Sequence, residues 1–141
     1  GRAGTECDVP VISNDFYYTL LDMASVDVPK EKVCEGESIV PLLEGGKIGK
    51  RALYWHFPHY SNHGMQSPGG AIRYGDYKLL EYFENGTVQL FDLKTDLGEQ
   101  HDLSAEKPGV VKKLRKMLHA WRESVGASMP EPNPNFTGDK R

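Results

Sequence analysis

Apolar residues recur at helical spacing in two segments of this chain, with a strand-like stretch between them. In "SNDFYYTLLDMASV", residues 13–26, Phe16, Leu20, Met23 and Ala24 fall on one face of a 3.6-residue period, which predicts a helix. Ser13 is placed to cap it by accepting a bond from a free backbone N–H, and Asp15 suits its positive end. Pro29 marks its latest possible end. "ESIVPLLEGG", residues 37–46, predicts one or two helical turns closed by Gly45 and Gly46. From residue 52 to residue 93 the composition turns to that of strands. "RALYWHF" (51–57) is rich in aromatic rings, as strands are. "AIRYGDYKLLEYF" (71–83) predicts two strands joined at Gly75-Asp76. "FENGTVQLFDL" (83–93) predicts another turn, because Asn85-Gly86 accepts the positive φ angles of type I′. The expected product is an antiparallel meander of three or four strands over 52–93.

A second helix follows a turn-rich connector, "KTDLGEQHDLSAEKPG". Pro108 fits its first turn, where a missing N–H costs nothing. Val110, Val111, Leu114, Met117, Leu118, Trp121 and Val125 form one stripe, and lysines and arginines take the other face. Gly126 is placed to stop it. The tail "MPEPNPNFTGDKR" is polar and proline-rich. A small sheet packed by a long helix, with a leading helix before it, makes the predicted class α+β.

Composition narrows the picture. The 141 residues are 38% hydrophobic and 26% charged, as in ordinary soluble domains. The net charge of -3 argues against a nucleic-acid partner, which wants a basic face. No stretch approaches the apolar length of a membrane span. The chain opens at Gly1 rather than Met, which suggests a fragment. Cys7 and Cys34 match no metal or redox spacing, and whether they pair stays open.

Candidate chemistry concentrates in "YWHFPHYSNHG", residues 54–64, which holds His56, His59 and His63. A helical His pair could grip zinc, but Pro58, Gly64 and Pro68 make this segment a loop, and no carboxylate or cysteine stands nearby to complete a tetrahedron. No metal site is therefore assigned. Ser61 lacks the strand-turn-helix setting of an activated nucleophile, so no catalytic residue is assigned either. In a strand, Trp55 and Phe57 would share an apolar face, with His56 on the other. His59 and His63 lie on a glycine-rich loop, where imidazoles suit a polar ligand. Asp92, Asp96, Glu99 and Asp102 are spaced like turn and cap residues. Arg73 could pair with a carboxylate or reach an anion.

Taken together, "PVISNDFYYTLLDMASV", "EGESIVPLLEG", "ALYWHFPHY", "GGAIRYGDYKLLEYFENGTVQLFDLKTDLGEQHDLS" and "LHAWRESVGASMPEPNPNF" resemble the carboxy-terminal part of sulfatases of the arylsulfatase type, over nearly the whole chain. The resemblance implies a carboxy-terminal subdomain of an α/β sulfatase fold. Residues 51–141 would be that subdomain, and residues 1–50 a connecting segment whose helix packs on a missing amino-terminal catalytic domain. It implies a sulfuric ester hydrolase acting on a sulfated glycan or aryl sulfate, with calcium and a formylglycine made from a Cys or Ser in C/S-x-P-x-R. "CDVPV" and "CEGES" depart from that motif, so neither the nucleophile nor the metal ligands transfer to this chain. Alone it would be inactive. What the family implies for it is a share in the wall of the substrate pocket, with His56, His59 and His63 as substrate contacts, and a periplasmic or secreted location. The alternative is a stand-alone module that binds carbohydrate or protein through the loop at 54–64.

Overall fold

The computed structural model describes residues 4–28, 31, 35–61, 67–131 and 133–134. Pro29, Cys34, His63 and most of the tail lie outside them. The chain divides into two units, Gly1–Lys50 and Arg51–Arg141.

The second unit is one antiparallel sheet in chain order, β1 (Ala52–Phe57), β2 (Gly69–Tyr74), β3 (Tyr77–Tyr82) and β4 (Val88–Asp92), with a helix across it. The fold is α+β, as the order of predicted elements implies. Register places Tyr54, Ile72, Leu79 and Leu90 side by side on one face. On that face packs the helix Pro108–Ser124, numbered α3 because two helices precede it. Ile72, Leu79, Leu90, Leu114 and Leu118 are the buried core. Each such side chain contributes about 1.5–3 kcal/mol relative to an exposed one. Gly70 lies under the helix: a Cβ there would stand 3.6 Å from Leu118 and 3.5 Å from Phe83. Helix and sheet therefore approach closely at this point, and β2 begins at Gly69 and Gly70, residues that the sequence pattern leaves in the loop.

Local chemistry explains the turns. Tyr74 pairs with Tyr77, and Gly75 carries the positive φ of the tight turn between them. The Asn85-Gly86 turn differs from expectation. Gly86 alone is left-handed, at φ 67°, and Tyr82 and Gly86 bond across a longer loop. Asn85 instead accepts bonds from the backbone N–H and hydroxyl of Thr87, at 3.0 and 2.7 Å. Its side chain completes the turn, so its backbone need not take the positive φ that type I′ demands. The acidic connector works as its spacing predicts. Asp96 accepts from the backbone of Gln100 and His101, both at 2.8 Å, and these bonds hold its carboxyl below the usual range. Asp102 accepts from Leu90 and Ser104, while Leu103 donates to the Leu90 carbonyl. The connector thus covers the free edge of β4.

The first unit holds α1 (Asp15–Met23) and α2 (Val40–Leu43). The cap expected at Ser13 is not made; Asn14 precedes the helix without a side-chain cap. Asp15 replaces it, accepting from Ile12 N–H at 2.8 Å and Glu37 N–H at 3.2 Å. Thr19 donates to the Asp15 carbonyl and accepts from Ile39 N–H. Asp15 and Thr19 are buried, at 1% and 3% exposure, whereas Phe16, Leu20 and Met23 are 58–65% exposed. The helix turns its polar side inward and its apolar side out. Gly36 makes this possible, since a Cβ there would lie 2.1 Å from the Asn14 carbonyl oxygen.

Candidate functional site

The sequence places its candidate histidines around the exit from β1, and the structure separates His56 from His59. His56 shares the helix-covered face with Tyr54, because it pairs with Gly70 two residues along the ladder. Tyr54 fixes this parity by stacking on Trp121, with rings 4.8 Å apart and nearly parallel. His56 Nε2 donates to the Ser128 carbonyl oxygen at 2.7 Å, and its ring tilts against Phe83. Nδ1 is buried without a partner among the described residues. His56 thus ties the segment after α3 to the sheet. Trp55, expected on an apolar face, is 41% exposed on the opposite side.

His59 lies beyond the strand end and is exposed. Its ring centroid is 4.0 Å from that of Phe57, which fixes the imidazole against the strand and leaves its edge to solvent. His63 lies outside the described residues. The structure therefore does not bring the three together as one cluster of described side chains.

Residues that sequence reasoning passes over make the neighbouring cleft. Pro58, Tyr60, Pro68, Phe83, Glu84, Pro130 and Glu131 line a hollow of about 650 Å³. Tyr60 donates its hydroxyl to Glu84 at 2.5 Å, and that bond raises the Tyr60 pKa. Tyr60 is legible as the neighbour of His59. Glu84 joins it through the β3–β4 loop, and Pro130 and Glu131 through the His56–Ser128 tie, neither of which a local motif announces.

The cleft is backed by a charged cluster. Glu81, 4% exposed, accepts from Arg115 Nε at 2.6 Å, His119 Nε2 at 2.9 Å and Arg122 Nη2. Burial pushes its carboxyl up, but the bonds from His119, Arg115 and Arg122 together outweigh burial and hold it below its ordinary value. Arg122 also lies over the Phe83 ring, 5.1 Å from its centroid. The cluster fixes the end of α3, and with it the segment that reaches Pro130.

Among the described residues no three His, Cys, Asp or Glu side chains converge as a metal site. No calcium cradle can be assembled from these residues. Cys7 is exposed, and its sequence context lacks the C/S-x-P-x-R pattern. Arg73 Nε is buried without a partner among the described residues. The arrangement offers rings, an imidazole edge and carboxylates. These groups are suited to hydrogen-bonding and stacking on a polar ligand.

Comparison with known proteins places the chain among sulfatases. Residues 2–124 match the family model described as N-sulphoglucosamine sulphohydrolase, C-terminal. A protein named sulfatase from Formosa agariphila is 36% identical over 122 residues, covering 76% of this chain and 22% of that protein. An N-acetylglucosamine-6-O-sulfatase of Bacteroides thetaiotaomicron is 29% identical over 150 residues, covering 99% of this chain and 26% of the relative. A solved structure of a protein in complex with its substrate D-glucosamine-2-N,6-O-disulfate superposes with a TM-score of 0.67 at 28% identity, over 82% of this chain and 24% of that one. The chain spans about a quarter of the length of the curated relatives it matches.

Proposed function

The chain belongs to the family of sulfatase carboxy-terminal domains, and from that premise we propose that it serves as the substrate-facing carboxy-terminal part of an enzyme that hydrolyses sulfate esters of carbohydrates. The observation that carries this reading is the family match over residues 2–124. The choice of carbohydrate rests on relatives named as an N-acetylglucosamine-6-O-sulfatase and a Delta 4,5-hexuronate-2-O-sulfatase. In this reading the nucleophile, and the calcium and formylglycine that the sulfatase family generally uses, come from sequence other than these 141 residues. The exposed apolar face of α1 packs against that catalytic portion. Secretion to a periplasm or beyond is part of the same proposal.

The contribution of this chain is binding. His59 presents an imidazole edge at the strand end, beside a cleft lined by the rings of Tyr60 and Phe83. Neutral imidazole donates one hydrogen bond to a sugar hydroxyl or a sulfate oxygen, and the protonated ring adds a positive charge. His63 follows on the same loop in the sequence. His56 has its Nε2 engaged with Ser128, so its share is to hold the wall in place.

The test is steady-state kinetics of the complete gene product on glucosamine-6-sulfate. His59→Ala raises KM and leaves kcat unchanged if the contact is equal in ground and transition states. The loss is about 0.5–1.5 kcal/mol for a neutral hydrogen bond and roughly 1.5–3 kcal/mol for one to a charged group. A collapse of kcat at constant KM would make His59 catalytic instead. Unchanged kinetics with a lowered Tm would make it a packing residue.

A further inference from the structure

The outward face of α3 is strongly cationic in a chain that is acidic overall. Its seventeen residues carry Lys112, Lys113, Arg115, Lys116 and Arg122 against one acid, Glu123. The whole chain has net charge -3. No acidic side chain sits in the first turn, so the positive end of the helix dipole adds to the field. Lys112, Arg115, Lys116 and His119 fall three and four residues apart, and therefore on one face. They line a shallow groove together with Pro108, Val111 and Glu123, the one acid of the helix, which stands at its far end. From Lys112 to His119 the stripe runs about 10 Å along the helix axis.

These cations divide into two sets. Arg115 and His119 are held by Glu81. Lys112 and Lys116 are exposed, and neither makes an ion pair among the described residues. Stability does not explain them, because like charges one turn apart repel. A polyanion lying along the stripe would relieve that repulsion.

We propose that this face of α3 is a docking surface for the sulfated polysaccharide chain, separate from the loop around His59. The choice of a sulfated glycan rests on the sulfatase reading. The face itself argues against two other polyanions. It carries no exposed aromatic ring for stacking on the bases of a single strand, and duplex DNA is an arm of the test below. It also carries no large exposed apolar side chain to enter a lipid surface, since Leu114 and Leu118 point into the core. A sulfated polymer offers regularly spaced anions along an extended chain, and Lys112 and Lys116, one turn apart with Arg115 beside them, complement that.

The experiment is titration of the complete gene product with heparin at low fixed salt. The wild type binds, and binding weakens as salt rises. Lys112→Gln/Lys116→Gln loses affinity by roughly tenfold. Lys112→Arg/Lys116→Arg keeps it, and Lys94→Gln, an exposed lysine beyond β4, changes it less than about twofold. Unchanged affinity of the Gln pair overturns the proposal. So does equally tight binding of duplex DNA or of phosphatidylserine vesicles. Sulfate release from glucosamine-6-sulfate is measured beside it. Heparin binding through these lysines without sulfate release from any sulfated sugar tried upholds the α3 surface and overturns the sulfatase reading. Sulfate release with heparin binding unmoved overturns the α3 surface alone.

Discussion

Glu81 shows how one buried carboxylate can organise a site it does not enter. It stands at the end of β3 under three cations of α3, and Arg122 is almost as buried as its partner. Breaking a buried pair from one side leaves an uncompensated charge, which costs about 3–5 kcal/mol. Glu81→Gln should therefore destabilise the second unit by that order, read as a shift of the denaturation midpoint. Glu81→Met with Arg122→Leu should recover much of the loss, because neither charge is then left buried. The pH dependence has a definite sign. The folded pKa of Glu81 lies below its unfolded value. Its stabilisation is complete above the ordinary carboxylate range and is lost as pH falls through the folded pKa. The stability gap between wild type and Glu81→Gln should close as the medium is acidified below about pH 4. A gap that stays constant to low pH would show that packing, not charge, holds the cluster. His56 makes a similar point with a neutral bond: it fixes Ser128, 72 residues away, and so helps place Pro130 and Glu131 on the cleft.

At the level of elements, α1 is the one whose surroundings decide its meaning. Leu20 and Met23 are 63% and 65% exposed. In the 141-residue chain, Leu20→Ser with Met23→Ser should change stability by no more than about 0.5 kcal/mol. It should also reduce binding of a hydrophobic dye, since it removes part of an exposed apolar patch. In the complete gene product the same pair should cost on the order of 2–5 kcal/mol, the range for emptying buried apolar sites. Equal costs in both settings would mean that nothing covers this face. Much of the architecture was legible in the sequence, because α3 buries one face and so leaves a helical period, while aromatic and apolar runs broken by turn residues mark the strands. Pro108 and Gly126 bracket α3 where their backbone chemistry predicts. The departures have physical causes. Periodicity shows that α1 has an apolar side without saying where its partner lies. The two faces of β1 are chosen by the Tyr54–Trp121 stack and not by alternation alone. Asn85-Gly86 yields to a side-chain bond to Thr87. Of the candidate site, His59 and the ring beside it were legible, while Glu84 and Pro130 enter through contacts distant in sequence.

For the whole molecule, the account divides labour between binding and chemistry. In the proposed reading these residues serve as a binding wall, offering an imidazole edge, rings and a cationic helix face. The nucleophile and its activation are proposed to come from sequence other than these 141 residues. The direct measurement is sulfate release from glucosamine-6-sulfate, with the purified 141-residue chain and the complete gene product assayed side by side. The account predicts release by the complete product and none by the chain above a heat-treated control. Release by the chain alone, or failure of the complete product on every sulfated sugar tried, would contradict it.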